Sequence, residues 1–128
     1  KEIIRENPKT ILEIERIVHP LVEQDRAPFL QNAKSDILVL DIPLLFETGA
    51  DADMDATVCV SIDPIEQKRR VLARGQMTEA DFETILAKQM PDAEKRAKSD
   101  YVIITDTIEN VRDKVRAIIK DVRDTPNA

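Results

Sequence analysis

The sequence predicts an α/β fold of three layers, with a parallel sheet in the middle and helices on both faces. Three observations point there. The run Ile37-Leu38-Val39-Leu40 is apolar without alternation, as a strand covered on both faces requires. Two more short apolar stretches, residues 57–62 and 101–104, follow it. Around them lie segments whose apolar positions recur every three or four residues, and right-handed crossovers through such helices make successive strands parallel.

Each element has its own signal. Ile11, Ile14, Ile17, Val18, Leu21 and Val22 share a helical face, so residues 8 to about 34 read as helix with Asn7 as cap, kinked or split by Pro20 and Pro28. The first strand is expected at 37–42, a short turn or helix at 43–49 and an acidic loop at 50–55. The second strand is expected at 57–62. Asp63-Pro64-Ile65-Glu66 then supplies a capping acid, a proline at the first helical position and a box glutamate, for a helix to Arg74 that Gly75 ends. Thr78 and Asp81 repeat the box before Phe82, Ile85, Leu86 and Met90, and Pro91-Asp92 restarts a charged helix through Lys98. After the third strand at 101–104, Asp106 with Glu109 is expected to cap a helix striped by Val111, Val115, Ile118, Ile119 and Val122. No repeat or linker divides the chain, so residues 1–128 read as one domain.

Composition narrows the function. A chain of 128 residues with 42% hydrophobic and 34% charged content fits a globular protein, and no apolar window approaches the roughly 18 residues that span a bilayer. Membrane insertion is not expected. The net charge of −6 argues against general nucleic-acid binding, and three Phe, one Tyr and no Trp supply few stacking platforms. A nucleotide or cofactor suits the chain better than a polymer. The lone Cys59, inside Val58-Cys59-Val60, reads as a small buried hydrophobe and fits a reducing cytoplasm.

Ligands of parallel sheets collect beyond the carboxyl ends of the strands, which marks Asp41-Ile-Pro-Leu-Leu-Phe-Glu47. Asp41 suits either a water-mediated magnesium ligand or a turn cap. Lys68-Arg69-Arg70 with Arg74 is a basic cluster in an acidic chain. Arg70 and Arg74 share one helical face and could clamp a phosphate, although Glu66 and Arg70 also suit an ordinary surface ion pair. Residues 75–98, carrying Lys88, Gln89, Lys95, Arg96 and Lys98, read as a helical lid or as a plain solvated excursion. His19 is the only histidine, and its distance from Cys59 offers no zinc spacing. A G-x-x-x-x-G-K-[ST] loop does not occur in the sequence, since Gly49 and Gly75 match no part of it.

Ile17-Val-His-Pro-Leu-Val22, Asp41-Ile-Pro-Leu-Leu-Phe-Glu-Thr-Gly49, Gln67-Lys-Arg-Arg70 with Arg74, and Met77-Thr-Glu through Ile85-Leu-Ala-Lys-Gln89, in this order, resemble the bacterial dephospho-coenzyme A kinase family from about Pro8 to Val122. The resemblance implies a P-loop NTPase-like fold and transfer of the γ-phosphate of ATP, with magnesium, to the ribose 3′-hydroxyl of dephospho-CoA, the last step of coenzyme A synthesis. It implies that Pro43, Leu44, Leu45, Phe46 and Glu47 line the acceptor site, with His19 and Pro20 shaping its helical side. Arg70 would be catalytic, and Arg74, Gln89 and Arg96 would meet phosphates as the lid shuts. The family's first strand, phosphate-binding loop and aspartate pair have no counterpart in this sequence. The chain is therefore expected to be a C-terminal portion, inactive alone, with a bare sheet edge open to self-association. Two other readings stand beside this one: a module that binds coenzyme A-like ligands or a protein without catalysis, and a portion of another small-molecule kinase.

Overall fold

The computed structural model describes residues 6, 7 and 9–125. The chain forms two compact units, one reaching to Asp41 and one starting at Ile42.

The first unit is a single long helix, α1 (Lys9–Asn32). Asn7 caps it as expected, with its side-chain oxygen accepting from the Lys9 N–H at 3.1 Å. Pro8, the expected start, lies outside the described residues. The helix runs through Pro20 and Pro28 without a break, which corrects the expectation that they split it. Both prolines are exposed, so the carbonyls they leave unpaired face water. Residues 37–42 join no ladder among the described residues, contrary to the predicted first strand. A strand exists only through a hydrogen-bonded neighbour, and Val39 is 83% exposed.

The second unit opens with a turn at 43–49. Thr48 donates from both its backbone N–H (3.1 Å) and its hydroxyl (2.8 Å) to the Leu44 carbonyl, and Gly49 at φ 73° leads into a 3₁₀ turn, Ala50–Asp53. Strands β1 (Val58–Ser61) and β2 (Tyr101–Ile104) pair in parallel, Val58 opposite Tyr101 and Ser61 opposite Ile104. Buried Thr57 locks the entrance to this pair: its N–H and hydroxyl each donate to Asp100 at 2.8 Å, and its hydroxyl accepts from the Asp100 N–H at 3.1 Å.

Asp63 caps α2 (Pro64–Ala73) by accepting from Ile65 and Glu66. Glu66 does not complete the box, because its carboxylate turns to Arg69 and Arg70. Gly75 follows at φ 64°, in the left-handed region that a helix end favours for glycine. The Thr78–Asp81 capping box starts α3 (Glu79–Lys88), and α4 (Asp92–Lys98) begins after Pro91. Helix α3 rests on α2, where Lys68 bonds both Glu79 and Glu83, and α4 rests on β1. The last helix, α5 (Ile108–Asp124), lies along β2. Thr107 caps it, not Asp106; the Thr107 hydroxyl takes the Asn110 N–H, while Asp106 takes the Thr107 N–H and the Asn110 side chain. Cys59, Phe82 and Ile103 are the buried apolar centre among the described residues, Cys59 as its sequence position foretold, and burial raises the Cys59 thiol pKa. The α/β class with a parallel sheet is borne out.

Candidate functional site

The carboxyl ends of β1 and β2 stop at Ser61 and Ile104, and a cleft of about 220 Å³ opens there. Ser61, Gln67, Arg70, Arg74, Asp92 and Thr105 line it. This is where a parallel sheet gathers ligands, because backbone groups and helix starts converge at the strand ends. One turn of α2 separates Arg70 from Arg74, so the shared face expected of them does open on one cavity.

Arg70 is held from two sides. Its Nε donates to Glu66 at 2.7 Å, and its Nη1 donates to the Thr105 carbonyl at 2.9 Å. Thr105 in turn donates its N–H to the Ser61 carbonyl at 2.9 Å, tying the guanidinium to both strand ends. Glu66 also takes Nε and Nη2 of Arg69, both at 2.7 Å. Hydrogen bonds from Arg69 and then Arg70 hold the Glu66 carboxyl down to about 2. The ion pair and the cleft position, set apart as alternatives in the sequence, coexist.

Across the cleft, Asp92 accepts from the Ser61 hydroxyl at 2.9 Å and from Arg96 Nε at 2.8 Å. Arg96 therefore reaches the cleft through Asp92, which orients it. Gln89 is the half-buried residue that ends α3.

The turn at 43–49 is anchored from inside. Glu47 is only 17% exposed; its Oε2 pairs with Lys95 Nζ and accepts the Met90 N–H, both at 3.2 Å. Burial pushes its pKa up, yet the bonds from its own N–H, from Lys95 and from Met90 together outweigh burial and leave it below the ordinary value. Leu44, Leu45 and Phe46 are half-buried and Pro43 is exposed. His19 and Asp41 belong to the first unit and both are exposed. Among the described residues, no three His, Cys, Asp or Glu side chains cluster as a metal site.

Sequence reasoning missed Ser61, Thr105 and Asp92. Ser61 and Thr105 were legible in principle, being polar residues at the carboxyl ends of apolar strands; Asp92, on another element, gave no such signal.

A model of the family described as "CoaE: Dephospho-CoA kinase" matches residues 1–110. Among curated relatives named dephospho-CoA kinase, the chain is 60% identical over 123 residues to that of Ruegeria pomeroyi, covering 96% of this chain and 62% of the relative. It is 48% identical over 128 residues to that of Cereibacter sphaeroides, covering all of this chain and 65% of the relative. The crystal structure of TT1252 from Thermus thermophilus superposes with a TM-score of 0.80 at 26% identity, over 94% of this chain and 63% of that one. The chain thus spans a little under two thirds of the length of these proteins, and it belongs to the dephospho-CoA kinase family.

Proposed function

We propose that this chain supplies the acceptor turn, the lid and the phosphate-facing arginines of an ATP-dependent dephospho-CoA kinase, which transfers the γ-phosphate of ATP to the ribose 3′-hydroxyl of dephospho-CoA. The observation that carries the reading is the pair Arg70 and Arg74 in one cleft at the strand ends, in a chain of this family.

Phosphoryl transfer asks a protein for little covalent chemistry and much charge neutralisation, and a fixed guanidinium provides it. Glu66 and Thr105 occupy Nε and Nη1 of Arg70, and Nη2 has no partner among the described residues. The group is thus pre-oriented with a donor in reserve for a transferring phosphate, the role assigned to Arg70. Arg74 joins it from the next turn of α2, and Arg96 and Gln89 meet phosphates as residues 75–98 close as a lid. Leu44 and its neighbours offer an apolar surface to the acceptor. The sequence contains no G-x-x-x-x-G-K-[ST] loop, and in this reading that loop and the base for the 3′-hydroxyl come from the rest of the natural polypeptide. Magnesium would accompany ATP in this reading. The described residues assemble no group of three metal-ligating side chains, around Asp41 or elsewhere. No described helix is long and apolar enough to cross a membrane, and a cytoplasmic location fits soluble substrates.

Incubating the natural polypeptide that carries these residues with ATP and dephospho-CoA should yield ADP and coenzyme A. Shikimate and nucleoside monophosphates serve as competing acceptors, and preference for one of them would overturn the assignment. Micromolar binding of dephospho-CoA without phosphorylation would favour the non-catalytic module instead.

A further inference from the structure

Glu47 ends the turn that carries Leu44, Leu45 and Phe46, yet its carboxylate faces the protein. Its Oε2 takes Lys95 Nζ and the Met90 N–H, each at 3.2 Å, and Lys95 is itself only 18% exposed. The other carboxylate oxygen, Oε1, is buried without a hydrogen-bond partner among the described residues. A carboxylate held so far from water is costly unless the position matters, because an exposed Glu at the same turn would keep full hydration.

The partner identifies what matters. Lys95 stands on α4 beside Arg96 and three residues after Asp92, and Asp92 bonds Ser61 at the end of β1 while orienting Arg96. One seven-residue helix therefore bonds the acceptor turn at one point and the arginine-lined cleft at another. Met90, just before that helix, adds a backbone bond to the same carboxylate.

We propose that Glu47 and Lys95 are a positioning pair that fixes the distance between the turn at 43–49 and the phosphate-facing cleft through α4. This rests on the kinase reading, and it assigns Glu47 away from direct contact with the acceptor. The pair sets where the acceptor hydroxyl lies relative to Arg70 and Arg96, so its loss weakens acceptor use and leaves ATP binding alone.

The test measures kcat and the KM of each substrate for the natural polypeptide and for Glu47→Gln, Lys95→Met, the double variant and the exchanged pair Glu47→Lys with Lys95→Glu. Each single variant should raise the dephospho-CoA KM about tenfold, the weight of a modest half-buried ion pair, with the ATP KM unchanged. The double variant should be no worse than the poorer single one, and the exchanged pair should recover part of the loss. Additive singles, or equal change in both KM values, would overturn the proposal. If the parent protein phosphorylates nothing, the kinase reading fails first, and amide exchange decides the pair on its own. Exchange at Thr48 to Ala50, whose N–H groups close this turn on the carbonyls of Leu44 to Phe46, and at Met90 should quicken together in Glu47→Gln and in Lys95→Met, and unchanged exchange at either segment in Lys95→Met would refute the coupling.

Discussion

Arg70 Nη1 donates to the Thr105 carbonyl at 2.9 Å across 35 residues of chain, so a side chain of α2 is docked on the end of β2. That bond, with the one from Nε to Glu66, leaves the guanidinium with little freedom before any ligand arrives.

Replacing Arg70 by Ala or by Lys should lower kcat about a hundredfold with a smaller change in either KM, the loss typical of one pre-oriented donor to developing charge. Lysine should rescue little, because a single ammonium cannot bond Glu66, Thr105 and a phosphate in fork geometry. Steady-state kinetics on the natural polypeptide decide this, and full activity in Arg70→Lys would remove the arginine from the chemistry.

Thr57 and Asp100 exchange three hydrogen bonds where the two strands enter the sheet. Thr57→Val should destabilise the fold by about 1–2 kcal/mol, since it strips a buried donor from a carboxylate and leaves an N–H behind. Urea unfolding followed by circular dichroism reads the change as a lower midpoint at constant slope.

Gly75 ends α2 at φ 64° with open space around the position of a Cβ. Gly75→Ala therefore meets no clash, and the backbone alone should cost about 1–2 kcal/mol. Gly75→Asn, which tolerates this conformation better, should cost less, and equal melting temperatures for the two variants would contradict the account.

Acid should destabilise the protein within a definite window. Bonds from Arg69 and Arg70 hold Glu66 at about 2, and the Thr57 N–H and the Thr107 N–H lead the lowering of Asp100 and Asp106. A carboxyl whose folded pKa is lowered takes a proton more readily when unfolded, so its contribution is present above the unfolded value and lost as pH falls toward the folded one. Stability should stay level above the ordinary values of 4.5 for Glu and 3.8 for Asp, then decline below them, with the Glu66 contribution lost as pH approaches about 2. Urea midpoints between pH 6 and pH 2, marked off at about unit intervals, trace this, and Glu66→Gln should flatten the steepest part.

The outer edges of β1 and β2 have no strand partner among the described residues, and Val58 and Val60 are 44% and 66% exposed. The 128-residue chain should self-associate in a concentration-dependent way, and Val58→Lys should reduce this by placing charge beside the open edge. Light scattering that finds a monomer at all concentrations would count against it.

By itself the sequence determined local structure wherever a few adjacent residues carry the physics. Asp63-Pro64, the Thr78–Asp81 box and Gly75 set helix ends through bonds no more than one turn long, and the buried run at Cys59 announced a strand. It also marked Arg70 and Arg74 as a pair, because four residues make one helical turn. Tertiary structure alone decided what those residues meet. Residues 37–42 joined no ladder because a strand depends on a partner its own sequence does not encode. The bonds from Ser61 to Asp92, from Arg70 to Thr105 and from Lys95 to Glu47 span 31, 35 and 48 residues. Contacts that long leave no periodicity to read; they exist only once the sheet has brought its strand ends together.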